Sequence, residues 1–305
     1  MYTLKKVYVS FYGVVFRNLR IFKPSLVEPE MPDQVRYSLD MEQSLFLSHQ
    51  WSKRVTTPAP DTTQPIALVY ELWSAINYYH WICDALPRLL LLRAKHPNCT
   101  LLVPKPIPDY VVETTRKLGF HKLLGIARGQ VLKVETLVLP ELTAQGGMQN
   151  KDLINQVRTE FVQDITPAST VNPKRIYASR SLAKMRRLSN EQEVIQMLQR
   201  YDFEIVHFEN YSFEQQVELM RNTQILVGMH GANLTNLLFM PRQASVVEIM
   251  NQDYENLCYY HLASNACIKY SCIMSASHHG DKSRNDDDLL VNIDELEAAV
   301  RDALV

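Results

Sequence analysis

From Ile66 onward the chain alternates short, nearly continuous apolar runs with longer stretches whose apolar residues recur at helical spacing. IALVY (66–70), TLLVP (100–104) and VLKVETLVLP (131–140) are separated by helical patterns over about 75–94 and 109–118, and a further helix is expected from Asp152 to Gln163. KRIYAS, FEIVHF, QILVG, SVVEIM and IKYSCIM then alternate with NEQEVIQMLQRY, SFEQQVELMRN, ANLTNLLF and ENLCYYHLAS. Such alternation restricts the chain to α/β layers with parallel strands, because a parallel pair needs a crossover long enough to hold a helix. A last amphipathic helix is expected from the helical spacing of Ile293, Leu296, Val300 and Leu304.

Residues 4–22 alternate apolar and polar around Gly13 and read as a β-hairpin, whereas residues 23–65 carry Pro24, Pro29, Pro32, Pro58, Pro60 and Pro65 and read as loop. The proline-bounded stretch TPASTVNP (166–173) marks a boundary between two βα-rich halves. The expected domains are 1–168, β- and loop-rich over 1–65 and α/β over 66–168, and a Rossmann-like 169–305. Two such halves would face a cleft, with ligands beyond the carboxyl ends of the strands.

Bulk charge is balanced, 32 Lys and Arg against 33 Asp and Glu, which argues against electrostatic binding to nucleic acid or anionic lipid. The five cysteines are scattered, with no C-x-x-C pair, so neither a disulfide framework nor a zinc ribbon is expected. The start MYTLKKVYVS has no apolar leader core, and the longest uncharged stretch, Asn222 to Pro241, is too polar for a membrane span. These features point to a soluble cytoplasmic protein.

Three constellations carry chemistry. Gly228-Met229-His230-Gly231-Ala232-Asn233 lies between an apolar strand and a helix and holds two of only nine glycines in the chain. A helix start of this kind suits a phosphate, and His230 adds a donor; an ordinary tight turn is the alternative. The turn is neither G-x-G-x-x-G nor a P-loop, so NAD and ATP fingerprints are absent. Lys174 to Arg187 holds six cations and no acid, suited either to a diphosphate or to a solvated loop; with little aromatic interleaving, nucleic acid is disfavoured. Asn77, His80, Asp84 and Arg88 fall on one face of a helical run, with Pro87 making the backbone near Asp84 irregular. His80 and Asp84 are either an acid/base pair or a hydrogen bond that pins the helix; no further metal ligands are identifiable. Asp286-Asp287-Asp288 has D-x-D spacing but sits in polar sequence and reads as solvated.

NYYHWICDALPRLLLL (77–92), RIYASRSLAKMRRLSNEQEV (175–194) and ILVGMHGANLTNLLFMPRQASVVEIM (225–250) together resemble the signature blocks of glycosyltransferase family 61. That family includes bacterial capsular polysaccharide enzymes, plant xylan-decorating transferases and eukaryotic O-linked N-acetylglucosaminyltransferases. The resemblance implies a GT-B architecture of two Rossmann-like domains and an inverting transfer that requires no metal. It also implies a nucleotide-sugar donor, with a UDP-sugar expected, and a glycan acceptor in polysaccharide or capsule synthesis. Arg180, Arg187, Asn190, Glu191, His230, Gly231, Ala232, Asn233 and Glu248 match donor-side positions, with Glu248 expected at the ribose. Asp84, oriented by His80, becomes the expected base, with Asn77 and Arg88 on the acceptor side. Many members carry Gly where this chain has Asn233, a residue that tolerates left-handed backbone. A lipid-linked acceptor would call for peripheral docking at the inner membrane face, a question that Trp51, Lys53 and Arg54 do not decide. A sugar-nucleotide epimerase and a non-catalytic saccharide-binding protein are the rival classes on the same frame.

Overall fold

The structure, a computed structural model, describes residues 1–18, 20–26, 64–162, 173–278 and 287–305. Most of the proline-rich segment, with Trp51, Lys53 and Arg54, lies outside the described residues, as do Asp286 and nearly all of the expected 166–173 linker. The fold is mixed α/β and divides into two compact units, Met1–Val157 and Arg158–Val305.

The first unit is built on a seven-stranded sheet. Its hairpin, β1 (Tyr2–Ser10) and β2 (Val15–Arg17), turns at Gly13, whose φ of +75° excludes most side chains. It continues into β3 (Arg20–Ile21). The parallel part comprises β4 (Ile66–Ala67), β5 (Thr100–Lys105), β6 (Leu123–Ala127) and β7 (Val131–Leu139). Strand order is β3-β2-β1-β7-β4-β5-β6, with β1 antiparallel to β7. The run IALVY forms only two paired residues before the chain leaves the sheet, and β6, a half-buried LLGIA, was not expected from sequence.

The crossover after β4 is not one regular helix. Asn77 ends the loop and caps α1 (Tyr78–His80), accepting the Tyr79 N–H at 2.8 Å. A π-helical turn (Trp81–Ala85) follows, and Pro87 then sits in the first turn of α2 (Leu86–Arg93), where its missing N–H costs nothing. Helices α3 (Asp109–Lys117) and α4 (Lys151–Phe161) complete this part of the chain, the division between the units falling within α4.

The second unit holds a six-stranded sheet, β13-β12-β11-β10-β8-β9, parallel except for its last edge strand. Its strands are β8 (Lys174–Ala178), β9 (Phe203–Val206), β10 (Thr223–Met229), β11 (Ser245–Asn251), β12 (Lys269–Ser277) and β13 (Leu289–Leu290). Helices α5 (Glu191–Gln199), α6 (Phe213–Arg221), α7 (Cys258–Ala266) and α8 (Ile293–Ala303) alternate with them. Strands β10 and β11 are buried on both faces, which is why they read as unbroken apolar runs. One face packs Val194, Leu198, Val227, Val247, Leu296 and Val300 into a single core. ANLTNLLF forms a 3₁₀ helix (Ala232–Phe239) in place of an α-helix.

Both sheets contain a point where strand order reverses. In the first, β5 and β6 lie to one side of β4 and β7 to the other; in the second, β9 flanks β8 on one side and β10 on the other. Diverging crossovers leave a crevice at the carboxyl ends of such strand pairs. His80 and Asp84 follow β4, while Arg180 and His230 follow β8 and β10.

Candidate functional site

In the first unit, the chain leaves β4 through buried Leu68, Val69 and Tyr70 and arrives at Glu71, a carboxylate only 1% exposed. Its oxygens accept the Trp73 N–H at 2.7 Å, the Ser74 N–H at 2.8 Å and the Ser74 hydroxyl at 2.7 Å. The loop so formed lays the Trp73 ring on His80, centroids 6.1 Å apart at 27°. His80 Nδ1 lies 2.6 Å from Asp84 Oδ2 across the π turn. An ionised carboxylate only accepts, so Nδ1 carries the shared proton and Nε2 is the atom able to take another. Burial pulls the His80 pKa down, but the Asp84 hydrogen bond and the charges of Asp84 and Glu71 outweigh it, and the net shift is upward. Burial raises the Glu71 pKa despite the opposing charge of His80.

The expected stripe of four polar residues is therefore broken. Asn77 is a helix cap, and Arg88 is 1% exposed, its Nε and Nη2 donating to the Pro140 carbonyl just beyond β7. Arg88 lies within the influence of Glu71 and Asp84, whose charges partly offset the burial that lowers its pKa to about 10. One donor atom from each of Glu71, His80 and Asp84 falls within 4.8 Å of the others, a spacing that invites comparison with a metal centre. The chemistry fits a proton better: His80 and Asp84 are bonded to each other, Glu71 is filled by three donors, and a guanidinium is the nearby cation.

In the second unit, Arg180 and Gly231 meet at the ends of β8 and β10. A Cβ on Gly231 would collide with the Arg180 guanidinium, so glycine is what lets the arginine lie against the turn. Arg180 Nε and Nη2 donate to the Arg186 and Met185 carbonyls at 2.9 and 3.3 Å, curling the 180–187 loop around it. Burial, with the Arg186 charge second, lowers the Arg180 pKa and outweighs the opposing influence of Tyr259, Glu209 and Tyr177. No side chain caps the 3₁₀ helix that starts at Ala232, just after the turn. Gly228 has its own reason: a Cβ there would press Leu234 and Ala178 at 3.0 and 3.3 Å.

His230 Nδ1 lies 2.5 Å from Glu248 Oε1, and Tyr270 donates its hydroxyl to Glu248 Oε2 at 2.7 Å. Glu248 is fully buried with both oxygens engaged, so it orients His230; the expected grip on a ribose is not what its surroundings support. Tyr259 donates to the Gly231 carbonyl at 2.7 Å and sets its ring edge-on to His230. Tyr270→Phe removes a partner from a buried carboxylate and is expected to cost about 1–3 kcal/mol, measured by urea unfolding.

The cationic run is less bare than its sequence. Lys174 pairs with Glu204 at 2.9 Å, Arg175 reaches Asp202 at 3.9 Å, and Arg187 pairs with Asp288 at 3.5 Å while its backbone N–H bonds the same carboxylate. Asp287 is 2% exposed and Asp288 is bound by Arg187, which corrects the solvated reading of that acidic segment at both residues. Asn190 exchanges two hydrogen bonds with the Val291 backbone, and Glu191 accepts from Tyr177 and Ser179, so both brace the loop from behind. Glu71, Trp73, Tyr259 and Tyr270 were missed in the sequence.

Residues 78–247 match the family model described as Glycosyltransferase 61. The EGF domain-specific O-linked N-acetylglucosamine transferase of Drosophila melanogaster is 41% identical over 97 residues, 31% of this chain and 18% of the relative. Those of Pan troglodytes and Mus musculus are each 36% identical over 90 residues, 28% of this chain and 17% of theirs. The matched segment thus spans less than a fifth of these curated relatives. The relatives overturn the cytoplasmic expectation, since they are named for EGF domains, disulfide-dense modules of secreted and extracellular proteins. Cysteine scatter, the start of the chain and the polarity of the 222–241 stretch carried that expectation, and none of them reports the compartment. No helix among the described residues is long and apolar enough to cross a membrane.

Proposed function

Since the chain belongs to glycosyltransferase family 61, we propose that its second unit holds a nucleotide-sugar donor and its first unit activates the acceptor, the division of labour of a GT-B enzyme. The observation that carries this reading is Arg180, a half-buried guanidinium laid against the glycine turn at the sheet's reversal point. A diphosphate there would accept from both the guanidinium and the helix start. His230, fixed through Nδ1 by Glu248, presents Nε2 as a further donor when protonated or as an acceptor when neutral. The relatives' names favour N-acetylglucosamine as the sugar and a protein hydroxyl as the acceptor, over a growing polysaccharide or a lipid-linked glycan.

The proposed step is a single displacement with inversion. His80 Nε2 takes the acceptor hydroxyl proton, the acceptor oxygen bonds the anomeric carbon, and the bond from that carbon to the diphosphate oxygen breaks. The leaving electron pair stays on the diphosphate, whose charge Arg180 and the turn stabilise. This exchanges the roles expected from sequence. With Asp84 bonded to Nδ1 and the His80 pKa raised, the imidazole is the better-matched base near neutral pH, and Asp84 orients it.

Nucleotide binding tests the reading without an acceptor. UDP at about a hundred times its Kd is expected to add about 2.7 kcal/mol of stability in a thermal-shift assay, and Arg180→Ala to cut that gain to about 0.3–1.4 kcal/mol at the same UDP concentration. Transfer measured by mass spectrometry of an EGF-domain acceptor is expected to persist in EDTA. Stabilisation by no nucleotide diphosphate, or by UDP equally in Arg180→Ala, would defeat the donor assignment.

A further inference from the structure

We propose that Glu71 is a positioning residue for the transfer reaction, lying beside His80 and Asp84 and fixing the Trp73 ring that lies on the imidazole. The inference rests on the reading of His80 as the base. Glu71 is 1% exposed and held by three donors, so its place relative to His80 and Asp84, within 4.8 Å at one donor atom each, is set by the fold. One of those donors is the backbone N–H of Trp73, whose ring stacks on His80. Glu71 therefore acts on the imidazole twice, through its charge and through the plane of the ring above it.

Charge counting supports this role. The charged groups acting on the imidazole are Asp84 from the π turn and Glu71 from the loop after β4, with the Tyr79 ring edge-on at 5.0 Å, and Arg88 from α2 lies within the influence of both carboxylates. Two carboxylates and one guanidinium leave a single negative charge, which one proton on His80 cancels. Buried sites favour neutrality, so the cluster as a whole is built to accept the one proton that the acceptor hydroxyl releases. Without Glu71 the cluster is already neutral before His80 is protonated, and the imidazole becomes the weaker base. The upward shift of the His80 pKa against its own burial agrees with this.

The test is the pH profile of kcat/KM for the full chain with UDP-N-acetylglucosamine and an EGF-domain acceptor. The unsubstituted protein is expected to lose activity on the acid side with a pKa above the ordinary histidine value. Glu71→Gln is expected to move that limb down by about one pH unit, a tenfold change in proton affinity, while Glu71→Asp keeps it in place. A fall in activity in Glu71→Gln with the limb unmoved would mean that Glu71 only braces the loop, and the inference fails. A limb absent from the unsubstituted protein defeats the His80 reading itself, so the two failures are separable. Should Glu71→Gln not fold, the carboxyl carbon of Glu71 followed by NMR in the unsubstituted protein must shift as His80 titrates; a flat response overturns the proposal.

Discussion

Replacing His80 by Gln is expected to lower kcat by about 10²–10⁴, the range over which a positioned base contributes, while leaving UDP affinity within about twofold. Asp84→Asn should fall nearly as far, because the amide cannot accept from Nδ1–H while offering the imidazolium a counter-charge. The pH dependence separates the two carriers of the proton. A base works only when deprotonated, so activity rises with pH through the pKa of the group concerned. For His80 that pKa lies above the ordinary 6.5, since the hydrogen bond to Asp84 and the two carboxylate charges outweigh the opposing effect of burial. For a carboxylate base the limb would lie near pH 4. A profile flat from pH 5 to 8, with Asp84→Asn inactive and His80→Gln active, would return the base to Asp84 and leave the imidazole as its support. Single-turnover measurements are needed so that chemistry, and not product release, is what the profile reports.

The strands were legible because parallel strands buried on both faces must be apolar throughout, as in β10 and β11. The glycine turn was legible for a related reason: with nine glycines in 305 residues, two within four positions mark a backbone need. What hid from sequence was set by geometry or by distant partners. The stripe at 77, 80, 84 and 88 assumed a uniform helix, but the chain caps at Asn77 and widens into a π turn, so only His80 and Asp84 meet. Arg88 then turns inward to a carbonyl beyond β7, a partner more than fifty residues on. The cationic run misled in the same way, since Glu204, Asp202 and Asp288 are brought to it by β9, the turn before it and the segment leading into β13. Trp73 and Glu71 lie in a loop whose periodicity reports nothing, and only the fold shows that both converge on His80.

Gly231→Ala is expected to raise the Kd for UDP at least tenfold without unfolding the second unit. The methyl group would enter the space of the Arg180 guanidinium, which is itself tethered to the Arg186 and Met185 carbonyls. The arginine must either break those bonds or drag the 180–187 loop with it, and in both cases the cation leaves the turn. Losing one charge-assisted hydrogen bond costs about 1.5–3 kcal/mol, so Arg180→Ala should weaken binding by about 10- to 150-fold. Arg187 supplies the comparison within the same run. Its side chain is 49% exposed and committed to Asp288, so Arg187→Ala is expected to change UDP affinity by less than about threefold. Isothermal titration of the three variants orders them. If Arg187→Ala loses more affinity than Arg180→Ala, the diphosphate is bound on the exposed side of the loop, and the glycine turn serves only to pack the strands. If Gly231→Ala binds UDP normally while Arg180→Ala does not, the guanidinium reaches the anion by a route that does not pass over the turn.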